Sequence, residues 1–214
     1  MTKLIFVRHG ESEANFHKIY TGQSDFPLTD RGRMQAAAAA AYIEENEVVS
    51  FVYASPLSRA FETGSIIADR LNVPIVKNDA FMEIFAGLWE GRKFDDLVID
   101  FPKSYDIWRN DIGNARPDEG ESVKHLYERC VTEVLKIVNE HEDCTIVIAT
   151  HATPIRALTG YFSGVEASNL KEVPWASNAS ITTVCYDNDN GFYDLVADMR
   201  EHLKGIDTVL PSNV

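Results

Sequence analysis

The segment Leu4–Asn15, LIFVRHGESEAN, sets Arg8, His9 and Glu11 directly behind a short apolar run. A second apolar run, TIVIAT, stops at Thr150 and hands over to His151 and Ala152. A third, FVYAS, leads through Ser55 and Pro56 to Arg59, in the first turn of a helical pattern. Singly, each residue has a plain structural reading: a histidine packed at a strand end, an arginine solvated at the surface. Together, two histidines and two arginines at equivalent strand ends suit chemistry on an anion. A neutral imidazole is a nucleophile, neighbouring cations disfavour its protonated form, and its second nitrogen is fixed by donating to a carbonyl. Guanidinium forks match phosphate oxygens. The group that fits is a phosphoryl group passing through phosphohistidine, with a carboxylic acid nearby to protonate the leaving alkoxide.

For that chemistry the three strands must be neighbours. Lys3–Val7, Ser50–Ser55 and CTIVIAT read as strands buried on both faces, and VPIVKN as a shorter one. Between them lie helical patterns. Thr29 caps LTDRGRMQAAAAAAYIEE, proline opens PLSRAFETGSIIADRLN, and TPIRALTGYFSG follows the second histidine. GESVKHLYERCVTEVLKIVNEH reads as a long amphipathic helix with Val123, Leu126, Val131, Val134 and Leu135 near one face. ASITTVCYD and GFYDLVAD close the chain as two strands joined at Asn190-Gly191. Strands alternating with helices predict an α/β fold: a three-layer sandwich with a mostly parallel central sheet flanked by helices. In such a sheet the site lies beyond the carboxyl ends of the strands, where both histidines fall.

The whole chain is consistent with this. Its 214 residues, 45% apolar and 25% charged, fit one domain, with a small aromatic and acidic cap at about 85–120. Only the tail after Lys204 reads as disordered. No signal peptide or membrane-length apolar stretch is apparent, and Cys130, Cys144 and Cys185 form neither a disulfide framework nor a metal pair. The expected setting is the reducing cytoplasm. A net charge of −13 argues against nucleic acid and anionic membranes as partners, and confines any phosphate handling to a local basic pocket.

RHGESEAN, YASPLSRAFET and THATPIRA, with GQSDFPLTDRGRMQA and MEIFAGLWEG between them, resemble the motifs of the histidine phosphatase superfamily, phosphoglycerate mutase-like branch. The motifs span most of the chain in order. The resemblance implies that His9 is the nucleophile and that Arg8, Arg59 and His151 bind the phosphoryl oxygens, with His151 donating as a cation. It implies that Glu83 is the general acid and then the base that activates water. Asn15 and Gln23 match positions lining the pocket, Ser12 a position beside it, and the Ala152 amide adds a phosphate contact. Gly10 is expected to permit a tight turn after the nucleophile. Glu90 is a rival carboxylate to Glu83.

His9, His151 and nearby acids could also be read as a metal site, but arginine partners repel a cation, so no metal and no cofactor is expected. The same core serves a mutase or a phosphatase. The 85–120 segment is short beside the insertion of the mutase relatives, and its Arg92, Lys93, Lys103, Arg109 and Arg116 are diluted among aspartates. The expectation is therefore a phosphomonoesterase acting on a small-molecule phosphate monoester, with the mutase and a non-catalytic phosphate-binding module as alternatives. Phe85, Phe94, Phe101, Tyr105 and Trp108 either wall the substrate's alcohol or pack the cap. A homo-oligomer is left open.

Overall fold

The computed structural model describes residues 1–208. In chain order the elements are β1 (Thr2–Arg8), α1 (Glu13–Phe16), α2 (Asp30–Asn46), β2 (Val49–Ala54), α3 (Ser58–Leu71) and β3 (Ile75–Lys77). Then come α4 (Phe94–Asp100), α5 (Pro102–Asn110), α6 (Val123–Glu140), β4 (Thr145–Thr150), α7 (Ala152–Phe162), β5 (Ile181–Asp187) and β6 (Gly191–Met199). The six strands form one sheet in the order β3-β2-β4-β1-β5-β6. β1, β2, β3 and β4 run parallel, while β5 is antiparallel to β1 and to β6.

Alternation along the strands divides the core into two layers. Ile5, Val7, Val52 and Val147 face Ala39, Ala40 and Ile43 of α2 and Ile67 and Ala68 of α3. Leu4, Phe6, Ile146 and Ile148 face the other way, onto Leu126, Val134 and Ile137 of α6 and Ile155 and Leu158 of α7. This is the expected three-layer arrangement. Leu97, Tyr105 and Trp108, from the segment expected as a cap, are buried in that second cluster as well. Among the described residues no helix is long and apolar enough to cross a membrane.

Register places the chemistry. Val7 pairs with Ala149 and Arg8 with Thr150, so β1 and β4 end side by side and deliver His9 and His151 to the same edge. Ala54 of β2 also pairs with Ala149, which brings Ser55 level with Thr150. Thr29 caps α2 as expected, its hydroxyl accepting the Gly32 N–H at 3.0 Å.

Four local expectations shift. Pro56 does not open α3: Leu57 is still extended, its N–H reaching back to Ser55 Oγ at 3.3 Å, and the helix begins at Ser58. Along α6 the buried stripe is Val123, Leu126, Cys130, Val134, Ile137 and Val138, because a 3.6-residue period leaves Val131 and Leu135 at its margin. The β5–β6 turn spans residues 188–190, longer than the expected Asn190-Gly191 joint: Asp187 Oδ1 accepts the N–H groups of Asp189 and Asn190, and Gly191 opens β6 with φ +69°. The tail after Lys204 is anchored as far as described, Ile206 O and Thr208 Oγ1 both accepting from Gln35 Nε2 at 2.7 and 2.9 Å. The part of that expectation beyond Thr208 lies outside the described residues.

Candidate active site

His9 leaves the tip of β1 with its N–H on Thr150 O at 2.9 Å. Its ring Nδ1 lies 2.7 Å from Gly10 O, the geometry of donation to a carbonyl, which leaves Nε2 as the unprotonated nitrogen. Its own carbonyl accepts from Asn178 Nδ2 at 3.1 Å and from the Ala179 N–H at 3.2 Å. Gly10 is not in the left-handed backbone region, so the expected reason for glycine changes. A Cβ on Gly10 would stand 2.2 Å from Gly32 O, and one on Gly32 would stand 2.0 Å from Glu11 O. The two glycines let the backbone following His9 lie directly against the first turn of α2.

Around His9 the cations converge. Arg8 is 2% exposed, its Nη1 donating to Ala176 O at 2.7 Å while Nε is buried without a protein partner. Arg59 reaches the same pocket from the first turn of α3, held by Gly22 O at 2.7 Å and Ser24 O at 3.1 Å. The His151 ring lies edge-on to that of His9, centroids 5.1 Å apart. Its Nε2 is hydrogen-bonded to Ser55 Oγ at 2.8 Å, and its Nδ1 is buried without a protein partner. Arg8 lines the pocket, whereas His151 is fully buried and stands against His9 without lining it.

Glu83, on the loop between β3 and α4, completes the constellation. Its Oε1 accepts the Ile84 N–H at 2.8 Å and Oε2 the Thr153 N–H at 3.3 Å. Thr150 Oγ1 donates to Phe81 O at 2.7 Å and pins that loop to the end of β4. Ala152 and Thr153, the first residues of α7, line the pocket, where a helix N-terminus favours an anion.

Charge in this setting is governed by burial first. Burial, then Arg59 and Arg8, holds His9 well below the ordinary imidazole value, so the ring is neutral. The sequence argument named the cations; desolvation is the larger cause. Burial, followed by Arg59 and His9, does the same to His151, so the expected cationic His151 is corrected: it is neutral in this structure. Arg8 is lowered by burial to about 10 and stays charged at neutral pH. Burial raises the Glu83 carboxyl against the pull of the Ile84 and Thr153 hydrogen bonds, the direction a proton donor needs.

The remaining expected residues sort into wall and frame. Asn15 lines the pocket and its Oδ1 accepts from Asn178 Nδ2 at 3.0 Å. Ser12 is fully buried behind it, capping α1 and bonded to Asn15, so it orients a wall residue and does not face the pocket. Gln23 also stands behind the wall, its Nε2 donating to Glu83 O at 3.2 Å. Glu90 is no rival acid. Its carboxylate accepts the backbone N–H groups of Gly22, Gln23, Ser24 and Ala86 at 2.8–3.1 Å.

Of the five aromatics named in the 85–120 segment, Phe94 and Trp108 line the pocket. Phe101 and Tyr105 pack on Trp89, and Phe85 is 45% exposed. Sequence reasoning missed Ile19, Tyr20, Thr21, Thr153 and Trp175 on the wall, and Asn178 behind it. Thr153 was within reach, being next to Ala152. Trp175 and Asn178 sit in a loop before β5 that carries no pattern of its own. Trp175 stacks on Trp108 with centroids 6.1 Å apart, and Tyr20 meets Trp108 edge-on at 5.6 Å. Among the described residues no group of three or more His, Cys, Asp or Glu side chains could hold a metal ion.

Comparison with known proteins agrees with this geometry. Residues 4–199 match the family described as histidine phosphatase superfamily (branch 1). The chain is 32% identical over 170 residues to phosphoserine phosphatase 1 of Hydrogenobacter thermophilus, covering 79% of this chain and 80% of that protein. It is 34% identical over 160 residues to a 2,3-bisphosphoglycerate-dependent phosphoglycerate mutase of Thermoplasma acidophilum, covering 74% of each. The solved structure of Bacillus stearothermophilus YhfR superposes with a TM-score of 0.87 at 28% identity, over 95% of this chain and all of that one.

Proposed function

The chain belongs to the histidine phosphatase superfamily, and from that premise we propose how this phosphomonoesterase hydrolyses its small phosphorylated metabolite. Arg8, Arg59 and His151 bind the phosphoryl oxygens, joined by the Ala152 amide at the start of α7. The Nε2 lone pair of His9 forms a bond to phosphorus as the ester P–O bond breaks, and the departing oxygen takes a proton from Glu83. Water then attacks the phosphohistidine. Glu83, now a carboxylate, accepts its proton, and the N–P bond pair returns to Nε2. No metal or cofactor enters either step. The single observation that carries the reading is the His9 ring, tied through Nδ1 to Gly10 O and kept neutral between two buried guanidiniums. The charge that develops on the phosphoryl oxygens meets cations already desolvated and fixed by Ala176, Gly22 and Ser24 carbonyls.

Beyond the phosphate end, the wall is Ile19, Tyr20, Phe94, Trp108 and Trp175, and among the described residues no Lys or Arg other than Arg8 and Arg59 lines the pocket. This supports a phosphate ester whose alcohol presents an uncharged apolar face, over a triose carboxylate, and so hydrolysis over mutase exchange. The test has two arms. Wild-type protein should hydrolyse 4-nitrophenyl phosphate in the presence of a strong chelator, and acid-free quenching with labelled substrate should trap a base-stable, acid-labile label on His9. Zinc-restorable loss on chelation, or a label absent from His9, overturns the mechanism. In the second arm, monoesters including 3-phosphoglycerate and its bisphosphate are screened. Fast phosphoglycerate interconversion with little phosphate release overturns the phosphatase reading.

A further inference from the structure

Arg129, in the second turn of α6, reaches the loop that carries Glu83 and binds its backbone at successive points. Nη1 donates to Ala80 O at 2.6 Å, and Nη2 to Met82 O at 2.8 Å and Glu83 O at 3.3 Å. The same guanidinium faces Glu121 as a fork, Nε to Oε1 at 2.8 Å and Nη2 to Oε2 at 3.0 Å. Glu121 holds the far end of the loop: its N–H donates to Phe85 O at 2.7 Å, and its Oε2 accepts the Phe85 N–H at 3.3 Å. Four loop residues, Ala80, Met82, Glu83 and Phe85, thus bond directly to this pair. A loop this short and irregular has few bonds of its own to fix a catalytic side chain.

The pairing also has an electrostatic consequence. A lone cation under Glu83 would favour its carboxylate and spoil it as a proton donor. Burial acts against both partners, yet the fork outweighs it: Glu121 lies below the ordinary carboxyl value and Arg129 above its own. Their opposite charges offset one another, with exposed His125 placing its Nδ1 2.7 Å from the same Glu121 Oε1. The other charged and titratable groups around Glu83 are Arg8 at the end of β1, Arg59 from α3, Cys130 from α6 and Tyr20 from an adjoining loop, with His9 on the same pocket wall and His151 beside it. The phosphate-binding cations are already among them, and a further unbalanced one would add to their pull.

We infer that Arg129 and Glu121 form a positioning pair for the acid, clamping the Glu83 loop to the pocket while presenting it with no net charge. The inference rests on the reading of Glu83 as general acid. Neither residue touches the pocket itself, so both act through Glu83.

The test compares an aryl ester, 4-nitrophenyl phosphate, whose leaving group needs no proton, with an alkyl ester, whose leaving group does. Arg129→Met should lose about tenfold more kcat on the alkyl ester than on the aryl ester, with inhibition by inorganic phosphate changed less than about threefold. Arg129→Lys, which keeps the charge without the fork, covers the case in which methionine prevents folding and should show the same selectivity to a smaller degree. Glu121→Gln leaves the guanidinium unbalanced, and the alkaline fall of the alkyl-ester pH profile should move to lower pH while the aryl profile stays in place. Equal losses on both esters in the Arg129 variants, or an unmoved limb in Glu121→Gln, overturn the pair's role. Glu83→Gln is run beside them. If it is leaving-group selective and the Arg129 variants are not, only this inference falls. If Glu83→Gln shows no selectivity, the acid assignment falls and the inference with it.

Discussion

The rings of His9 and His151 stand edge to edge with centroids 5.1 Å apart and planes inclined by 61°, each neutral because both are buried beside the same two guanidiniums. They descend from adjacent parallel strands whose last paired residues are Arg8 and Thr150. Two imidazoles this close cannot both be charged inside a cationic pocket unless an anion joins them.

The first prediction follows from that pair. Both histidines have folded pKa values depressed below the unfolded imidazole value, so the unfolded chain binds more protons as the pH drops below about 6.5. Stability is therefore complete above that pH and declines below it. Glu83 has the opposite sign, its raised value giving the folded state the extra proton, but it opposes only one of two groups. Thermal unfolding followed from pH 7.5 down to pH 5 should show a falling Tm, and His151→Gln should flatten the slope. Inorganic phosphate should raise Tm most at the acidic end. A Tm indifferent to pH in this window contradicts buried neutral histidines.

Glu83 governs the second. As the acid it must be protonated, so alkyl-ester hydrolysis should fall as pH rises through its elevated pKa. Aryl esters should persist to higher pH. In Glu83→Gln, alkyl-ester kcat should drop by about 10²–10³, with phosphate affinity retained. Steady-state kinetics on both ester types check it.

Glu90 gives a third, of a different kind. Removing its carboxylate in Glu90→Ala leaves the N–H groups of Gly22, Gln23, Ser24 and Ala86 without their acceptor, and the Gly22 and Ser24 carbonyls are what hold Arg59. Stability should drop by about 2–4 kcal/mol in a denaturant titration. KM for any phosphate ester should rise, without selectivity for the leaving group, because the damage reaches Arg59 before Glu83.

A fourth concerns the backbone contact behind the nucleophile. Gly32→Ala puts a methyl 2.0 Å from Glu11 O, and Gly10→Ala one at 2.2 Å from Gly32 O. Backbone on both sides cannot yield cheaply, so either variant should lose about 2 kcal/mol or more and most of its activity. Calorimetry on Gly32→Ala is the direct check, since that residue lies outside the pocket.

The fifth tests the wall. On the proposed reading the Trp108–Trp175 stack lines the alcohol side of the pocket, so Trp175→Ala should raise KM for naphthyl phosphate several-fold more than for methyl phosphate. An equal effect on both esters would return these rings to a packing role.

What the sequence revealed was whatever chain direction and periodicity encode. His9, Arg8 and His151 were legible because buried parallel strands announce their own carboxyl ends, and Arg59 because its helix follows the next strand. The choice between Glu83 and Glu90 was not legible from residue type, since both are loop glutamates. The four backbone donors around Glu90, and the place of Glu83 on the pocket wall, separate them. Trp175 and Asn178 were invisible because they reach the site from an irregular loop more than a hundred and sixty residues beyond His9. The φ-based reason for Gly10 was wrong because what crowds it is a helix start 22 residues away, a contact no local pattern records.

β1, which leads into His9, the proposed nucleophile, has partners on both flanks, β4 in parallel and β5 antiparallel, each paired along nearly its whole length. Its amides should therefore exchange with deuterium only through global opening, slower than those of the loops bearing Gln23 and Glu83. The proposed nucleophile is thereby anchored to the part of the molecule expected to breathe least.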